Sequence, residues 1–113
     1  MNLTNKTVLV TGANRGIGRA TVDALLSEGV KKIYAAARDI NTLPDFGDAR
    51  VSALQLDITD AESVAAAART ASDIDVLINN AGVLKFGSLL DMPRADIEAD
   101  FVTNFYGTLD VIR

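Results

Sequence analysis

Thr11-Gly12-Ala13-Asn14-Arg15-Gly16-Ile17-Gly18 decides how the rest of this chain is read. Before it lies Thr7-Val8-Leu9-Val10, a short β-branched and aliphatic run suited to a parallel strand covered on both faces. After it, Ile17, Ala20, Thr21, Ala24 and Leu25 recur at helical spacing and predict a helix that packs this stripe on a sheet, with Gly29 as its stop. A glycine-rich turn between strand and helix leaves backbone N–H groups unobstructed beside the positive end of the helix, the arrangement a pyrophosphate requires. Gly12 permits the tight turn, Gly16 lets the backbone approach a phosphate, and Gly18 lets the helix close on the strand. The spacing is G-x-x-x-G-x-G rather than the commoner G-x-G-x-x-G, and a glycine pattern alone also fits an ordinary structural turn. The strand before it and the helix after it favour the phosphate site.

Downstream the same alternation continues. Lys32-Ile33-Tyr34-Ala35-Ala36-Ala37 reads as a second strand, despite an alanine run that composition alone would also allow as helix. Arg38 to Arg50 carries Pro44, Gly47 and the turn formers Asp39, Asn41, Asp45 and Asp48, so it is connection with at most one helical turn. Val51-Ser52-Ala53-Leu54-Gln55-Leu56 predicts a third strand. Thr59-Asp60-Ala61-Glu62 has capping-box spacing with Thr59 as the cap, opening an alanine-rich helix to about Ala71. Asp75-Val76-Leu77-Ile78 predicts a fourth strand, and helical pattern resumes at Pro93. Alternating strands and helices imply right-handed crossovers, a parallel sheet in the order 3-2-1-4 and helices on both faces: a Rossmann-type α/β domain.

Composition narrows the partners. The chain has 113 residues, 49% of them apolar, enough for one compact unit. Its formal charge of −4 comes from 15 acidic and 11 basic residues with no basic cluster, which argues against nucleic acid. Without cysteine or histidine, disulfides, thiolate sites and zinc fingers are excluded and no metal is expected. No leader pattern and no membrane-length apolar run is present, so a cytoplasmic location without membrane contact is the expectation.

Thr-Gly-x-x-x-Gly-Ile-Gly resembles the signature of the short-chain dehydrogenase/reductase family, and three further stretches match that family in order. Asp57-Ile58 resembles its adenine-contacting pair, Asn79-Asn80-Ala81-Gly82 its strand-four motif, and Asn104 its catalytic-tetrad asparagine. The resemblance implies an oxidoreductase acting on a small carbonyl or alcohol substrate, with dinucleotide contacts at Gly12, Asn14, Arg15, Gly16, Ile17, Gly18, Arg38, Asp57, Ile58, Asn80, Ala81 and Gly82. It gives Asn104 a part in a proton relay. Each residue has a plainer reading too: Asp57 as a turn or cap, the asparagines and Gly82 as loop formers, Asn104 as a solvent-facing helix residue.

The end of the second strand selects the cofactor, an acid there favouring NAD and an arginine NADP. The residue is Arg38, and Arg15 can reach a 2′-phosphate from the glycine loop, so NADP is expected. The alternative places Asp39 on the ribose with Arg38 in solvent, which selects NAD. Neither Tyr34 nor Tyr106 has lysine four residues on, so the family's Tyr-x-x-x-Lys proton donor is not in these residues. The expectation is the N-terminal, cofactor-binding part of a domain, completed by a C-terminal half or by association into a homo-oligomer. Two other readings stay open: a non-catalytic or engineered half-Rossmann nucleotide-binding module, and a structural or assembly segment that binds nothing.

Overall fold

Short apolar runs that become buried must pair their backbone N–H and C=O groups, and here they pair with one another. The computed structural model describes residues 1–113, in which Thr7–Val10 (β1), Lys32–Ala37 (β2), Val51–Gln55 (β3) and Val76–Ile78 (β4) form one parallel sheet. Its order is β3-β2-β1-β4, as the sequence predicts. Val8 stands opposite Ile33 on one side and Val76 on the other, and Ala37 stands opposite Gln55. Ala35, Ala36 and Ala37 lie in β2 although alanine is a poor strand former, because all three are buried and small side chains fit between two covered faces.

Six helical segments surround the sheet or extend from it. Gly16–Leu26 (α1) and Ala61–Thr70 (α2) follow β1 and β3, and Ile40–Thr42 is the single tight turn anticipated in the 38–50 connection. Arg94–Phe101 (α3) runs through a wide, π-type stretch at Val102–Gly107 into Thr108–Ile112 (α4). Val8, Val10, Ile33 and Ala35 pack with Val22 and Leu25 of α1 on one face. On the other face Leu9, Tyr34, Ala36 and Leu54 pack with Ala67 and Ala71, and Val111 of α4 rests against them. A fully buried residue such as Ile33 contributes about 2 to 3 kcal/mol by leaving water.

Three local expectations need correction. The face of α1 that reaches the sheet is Gly18, Val22 and Leu25, whereas Ile17, Ala20 and Ala24 are exposed. The predicted stripe is rotated by about one residue, an error its small side chains could not reveal. The cap of α2 is Asp60, whose Oδ1 accepts from the Glu62 and Ser63 N–H groups, not Thr59. Strands three and four are also each one residue shorter than expected, ending at Gln55 and starting at Val76.

At the amino ends of the strands, side chains fasten the connections. Arg50 donates to Leu26 O and Val30 O at 3.0 and 3.3 Å, clasping the α1–β2 link, and pairs with Asp48 at 2.8 Å. Tyr34 donates its hydroxyl proton to Asp73 and accepts from Lys32 Nζ, each at 2.7 Å. The carboxyl ends of the strands are left for the other end of the sheet, where the chain's crossovers leave β1 in opposite directions.

Candidate functional site

At that carboxyl edge lies an open cleft of about 720 Å³, bordered by the glycine turn, the ends of β2 and β3, the segment after β4 and Thr103. The turn is built by Gly12, at φ +65°, a left-handed conformation that glycine adopts without strain. Gly18 serves a different need: a Cβ there would collide with the Gly12 carbonyl oxygen and with Asn80 Nδ2, so only hydrogen allows α1 to start this close to β1.

Thr11 ties the turn to the segment after β4. Its buried Oγ1 accepts from the Asn80 and Ala81 N–H groups at 3.0 and 2.9 Å. Asn80 Nδ2 in turn donates to Thr11 O and Gly12 O, both at 3.2 Å. Asn80 is thus a brace for the glycine turn as well as a lining residue, and neither asparagine takes up a left-handed conformation. The spacing of the motifs does not reveal the hub role of Thr11; a threonine closing an aliphatic strand is the only local signal.

The start of α1 is open. Its N-cap, Arg15, makes no side-chain cap bond and the first turn has no acidic residue, so the backbone donors of Gly16, Ile17 and Gly18 carry the helix's positive end without a side-chain partner. Gly12, Asn14, Arg15, Gly16 and Ile17 line the cleft, while Gly18 lies beneath it. Asn14 Nδ2 donates to Thr42 Oγ1 at 3.1 Å, joining the glycine turn to the tight turn after β2.

Arg38 and Asp39 both border the cleft, but their side chains are differently engaged. Asp39 Oδ1 accepts from the Asn41 N–H at 2.9 Å and caps the Ile40–Thr42 turn, while no protein hydrogen bond occupies the Arg38 guanidinium. Asp57 forms a turn with Thr59, whose N–H and hydroxyl donate to Oδ1 at 2.9 and 2.7 Å. Those two bonds hold the Asp57 carboxyl below its ordinary pKa, against a smaller opposing effect of burial and with help from the Arg38 charge. Asp57 is therefore ionised at neutral pH. Ile58 and Ala81 complete the apolar lining, with Gly82 and Val83 beyond them.

Asn104 stands in the wide helical stretch and grips Val83 from both sides. Oδ1 accepts from the Val83 N–H at 2.8 Å and Nδ2 donates to Val83 O at 2.6 Å. It is exposed, yet not a plain surface residue, because it fixes the segment leaving Gly82. The two tyrosines lie elsewhere: Tyr34 is engaged with Asp73, and Tyr106 is absent from the cleft wall. No group of residues here is arranged to hold a metal ion, and no helix is long and apolar enough to cross a membrane.

A parallel sheet with a glycine turn at its crossover point and an uncapped helix facing the cleft defines a dinucleotide-binding α/β protein. The chain belongs to the short-chain dehydrogenase family, whose sequence pattern matches residues 6–113. Among solved structures, a short-chain dehydrogenase from Burkholderia cenocepacia J2315 in complex with NADP superposes with a TM-score of 0.94 at 38% identity. That match covers 100% of this chain and 48% of the other. NADPH-bound carbonyl reductase from chicken fatty liver gives a TM-score of 0.85 at 28% identity, over 96% of this chain and 46% of that one. A curated 3-oxoacyl-(acyl-carrier-protein) reductase of Vibrio harveyi is 38% identical over 98 residues, 81% of this chain and 40% of its own length. The chain spans less than half the length of the curated relatives it matches.

Proposed function

We propose that this chain binds NADP(H) and forms the cofactor-holding part of an oxidoreductase that moves a hydride between the nicotinamide and a carbonyl or alcohol substrate. The observation that carries the cofactor choice is the pairing of Arg15 and Arg38 on one cleft beside the open start of α1. A guanidinium forks onto phosphate oxygens with charge-assisted bonds, so two of them suit a 2′-phosphate. Asp39, the residue that would favour NAD, has its carboxylate committed to the Asn41 N–H. The similar proteins from Burkholderia and chicken hold NADP and NADPH, which agrees with this choice.

The residues present fit such a cofactor. A Cβ at Gly18 would push the Gly12 carbonyl and Asn80 out of place, so glycine there keeps the turn in the form the site needs, and the first-turn donors of α1 suit a pyrophosphate. Asp57, ionised, can accept from the adenine amino group with the Ile58 backbone alongside. Asn80, Ala81 and Gly82 would border the nicotinamide ribose. Asn104 positions Val83 at the reacting end and is the residue here suited to a proton relay. When bound, the nicotinamide supplies the hydride chemistry. The proton that accompanies it must come from a group other than Tyr34 or Tyr106, since neither hydroxyl reaches the cleft.

The test is an equilibrium titration of NADPH and NADH against the full chain, repeated with Arg38→Ala. Tighter binding of NADPH, with the preference reduced about tenfold or more by the substitution, is expected from the loss of one charge-assisted contact. Equal or reversed affinities in the unaltered protein would refute the NADP assignment. Turnover of NADPH with a panel of aldehydes and ketones tests the oxidoreductase reading separately from binding.

A further inference from the structure

β2 and β3 stop pairing just before two residues of the cleft, Arg38 and Asp57. Leu56 N–H donates to Ala37 O at 2.9 Å, and one residue further on side chains take over the work of the ladder. Gln55 Nε2 donates to Arg38 O at 3.2 Å. The Asp57 N–H donates to Ser63 Oγ at 2.8 Å, and Ser63 Oγ donates to Gln55 Oε1 at 3.0 Å. Three bonds therefore run as one chain from the backbone of Asp57 through Ser63 and Gln55 to the backbone of Arg38. Ser63 is a buried polar residue on α2, so its hydroxyl has a fixed position, and it both accepts and donates in this chain.

We infer that Gln55 and Ser63 are positioning residues for cofactor selection, fixing the backbones of Arg38 and Asp57 relative to each other across the strand ends. The inference rests on the NADP(H) reading above and deepens it. Arg38 has a long, entropically costly side chain, and its fork can meet a phosphate efficiently only if the backbone that carries it stays in place. The Ile40–Thr42 turn secures the segment on the far side of Arg38 through Asp39 and Thr42, and Gln55 secures it on the near side. Ser63 does for Asp57 what Gln55 does for Arg38, and the bond between the two side chains couples them. Neither side chain is needed to touch the dinucleotide, since neither lines the cleft.

The consequence differs for the two cofactors. Loosening Arg38 weakens only the ligand that carries a 2′-phosphate. In the full chain, Gln55→Met removes both ends of the amide while keeping a side chain of similar length. Its expected effect is a fall of about threefold to tenfold in the NADPH-over-NADH affinity ratio, the scale of one lost hydrogen bond, with NADH binding changed by less than about twofold. A ratio equal to that of the unaltered protein, or parallel weakening of both cofactors, overturns the inference. A protein that shows no NADPH preference before substitution refutes the parent reading and the selection role with it. The tether itself has a separate readout in cofactor-free protein: Ser63→Ala should speed amide exchange at Asp57 by about tenfold or more while the Leu56 amide, bonded to Ala37 O, keeps its protection. Unchanged exchange at Asp57 overturns the tether whatever the cofactor does.

Discussion

The two helices that follow β1 and β3 begin in opposite ways. α2 opens on Asp60, whose carboxylate takes the Glu62 and Ser63 N–H groups, and it carries an acid, Glu62, in its first turn. α1 opens on Arg15, with no side-chain cap and no first-turn acid. Free helix-end donors are ordinarily met by side chains, water or ligands. The chain's own side chains complete α2, whereas α1 keeps its donors and adds positive charge beside them. The difference separates a helix start that serves the fold from one that is shaped for an anion, and substitutions at the two starts should have different readouts.

The largest effect is expected where fold and site coincide. Gly18→Ala forces a methyl group onto the Gly12 carbonyl, so α1 must withdraw. A stability loss of about 2 to 3 kcal/mol by thermal unfolding should accompany a fall in NADPH affinity of about a hundredfold or more, on the scale of overpacking. Gly18→Ala binding NADPH normally would show that the close approach is dispensable. Next, Arg15→Asp converts the start of α1 to the style of α2. It should weaken NADPH by about thirtyfold to a hundredfold through lost attraction and added repulsion, while the thermal midpoint holds or rises because the helix gains a cap. Loss of stability in that variant would break the comparison.

At α2 the sign is reversed. Asp60→Ala should cost about 1 kcal/mol in chemical denaturation and change NADPH affinity by less than about twofold. The smallest effect lies farthest from the cleft. The Arg50 side chain, bonded to Asp48, holds the Asp48 carboxyl at about 2 against an ordinary 3.8. A carboxyl depressed on folding stabilises above its unfolded pKa and loses that contribution as pH falls through the folded value. Asp48→Asn should therefore flatten the stability loss between the ordinary 3.8 and about 2 and leave neutral-pH cofactor binding untouched. An unchanged acid profile would show that this half-buried pair contributes nothing.

The strand order, the crossover point and the glycine turn were legible because each rests on a strong local contrast: aliphatic runs bounded by glycine, aspartate or asparagine. The buried face of α1 was less so. Leu25 was read correctly, but the small side chains of Ala20, Thr21 and Ala24 mark a face only weakly, and packing against the sheet buried Gly18 and Val22 beside Leu25. At α2 two adjacent cap formers compete, and the sequence cannot say that Thr59 turns back to Asp57 while Asp60 caps. The wide turn at Val102–Gly107 also lacks a local signal. There Gly107 packs so near Ile58 that a Cβ would come within 2.9 Å of its side chain, a contact between residues far apart in sequence. In the cleft, glycines and arginines were readable by type; the bonds from Thr11 to Asn80 and from Gln55 to Arg38 depend on tertiary proximity and were not.

Amide chemical-shift mapping during an NADPH titration tests the central claim most directly, because it locates the ligand on this chain without relying on turnover. The largest changes should fall at Gly12 and Asn14 to Gly18, at Arg38, at Asp57 and Ile58, and from Asn80 to Gly82, with the α2 start at Asp60 to Ser63 moving much less. Changes absent from the glycine turn, or centred on the small hollow beside Leu43 and Phe46, would contradict it.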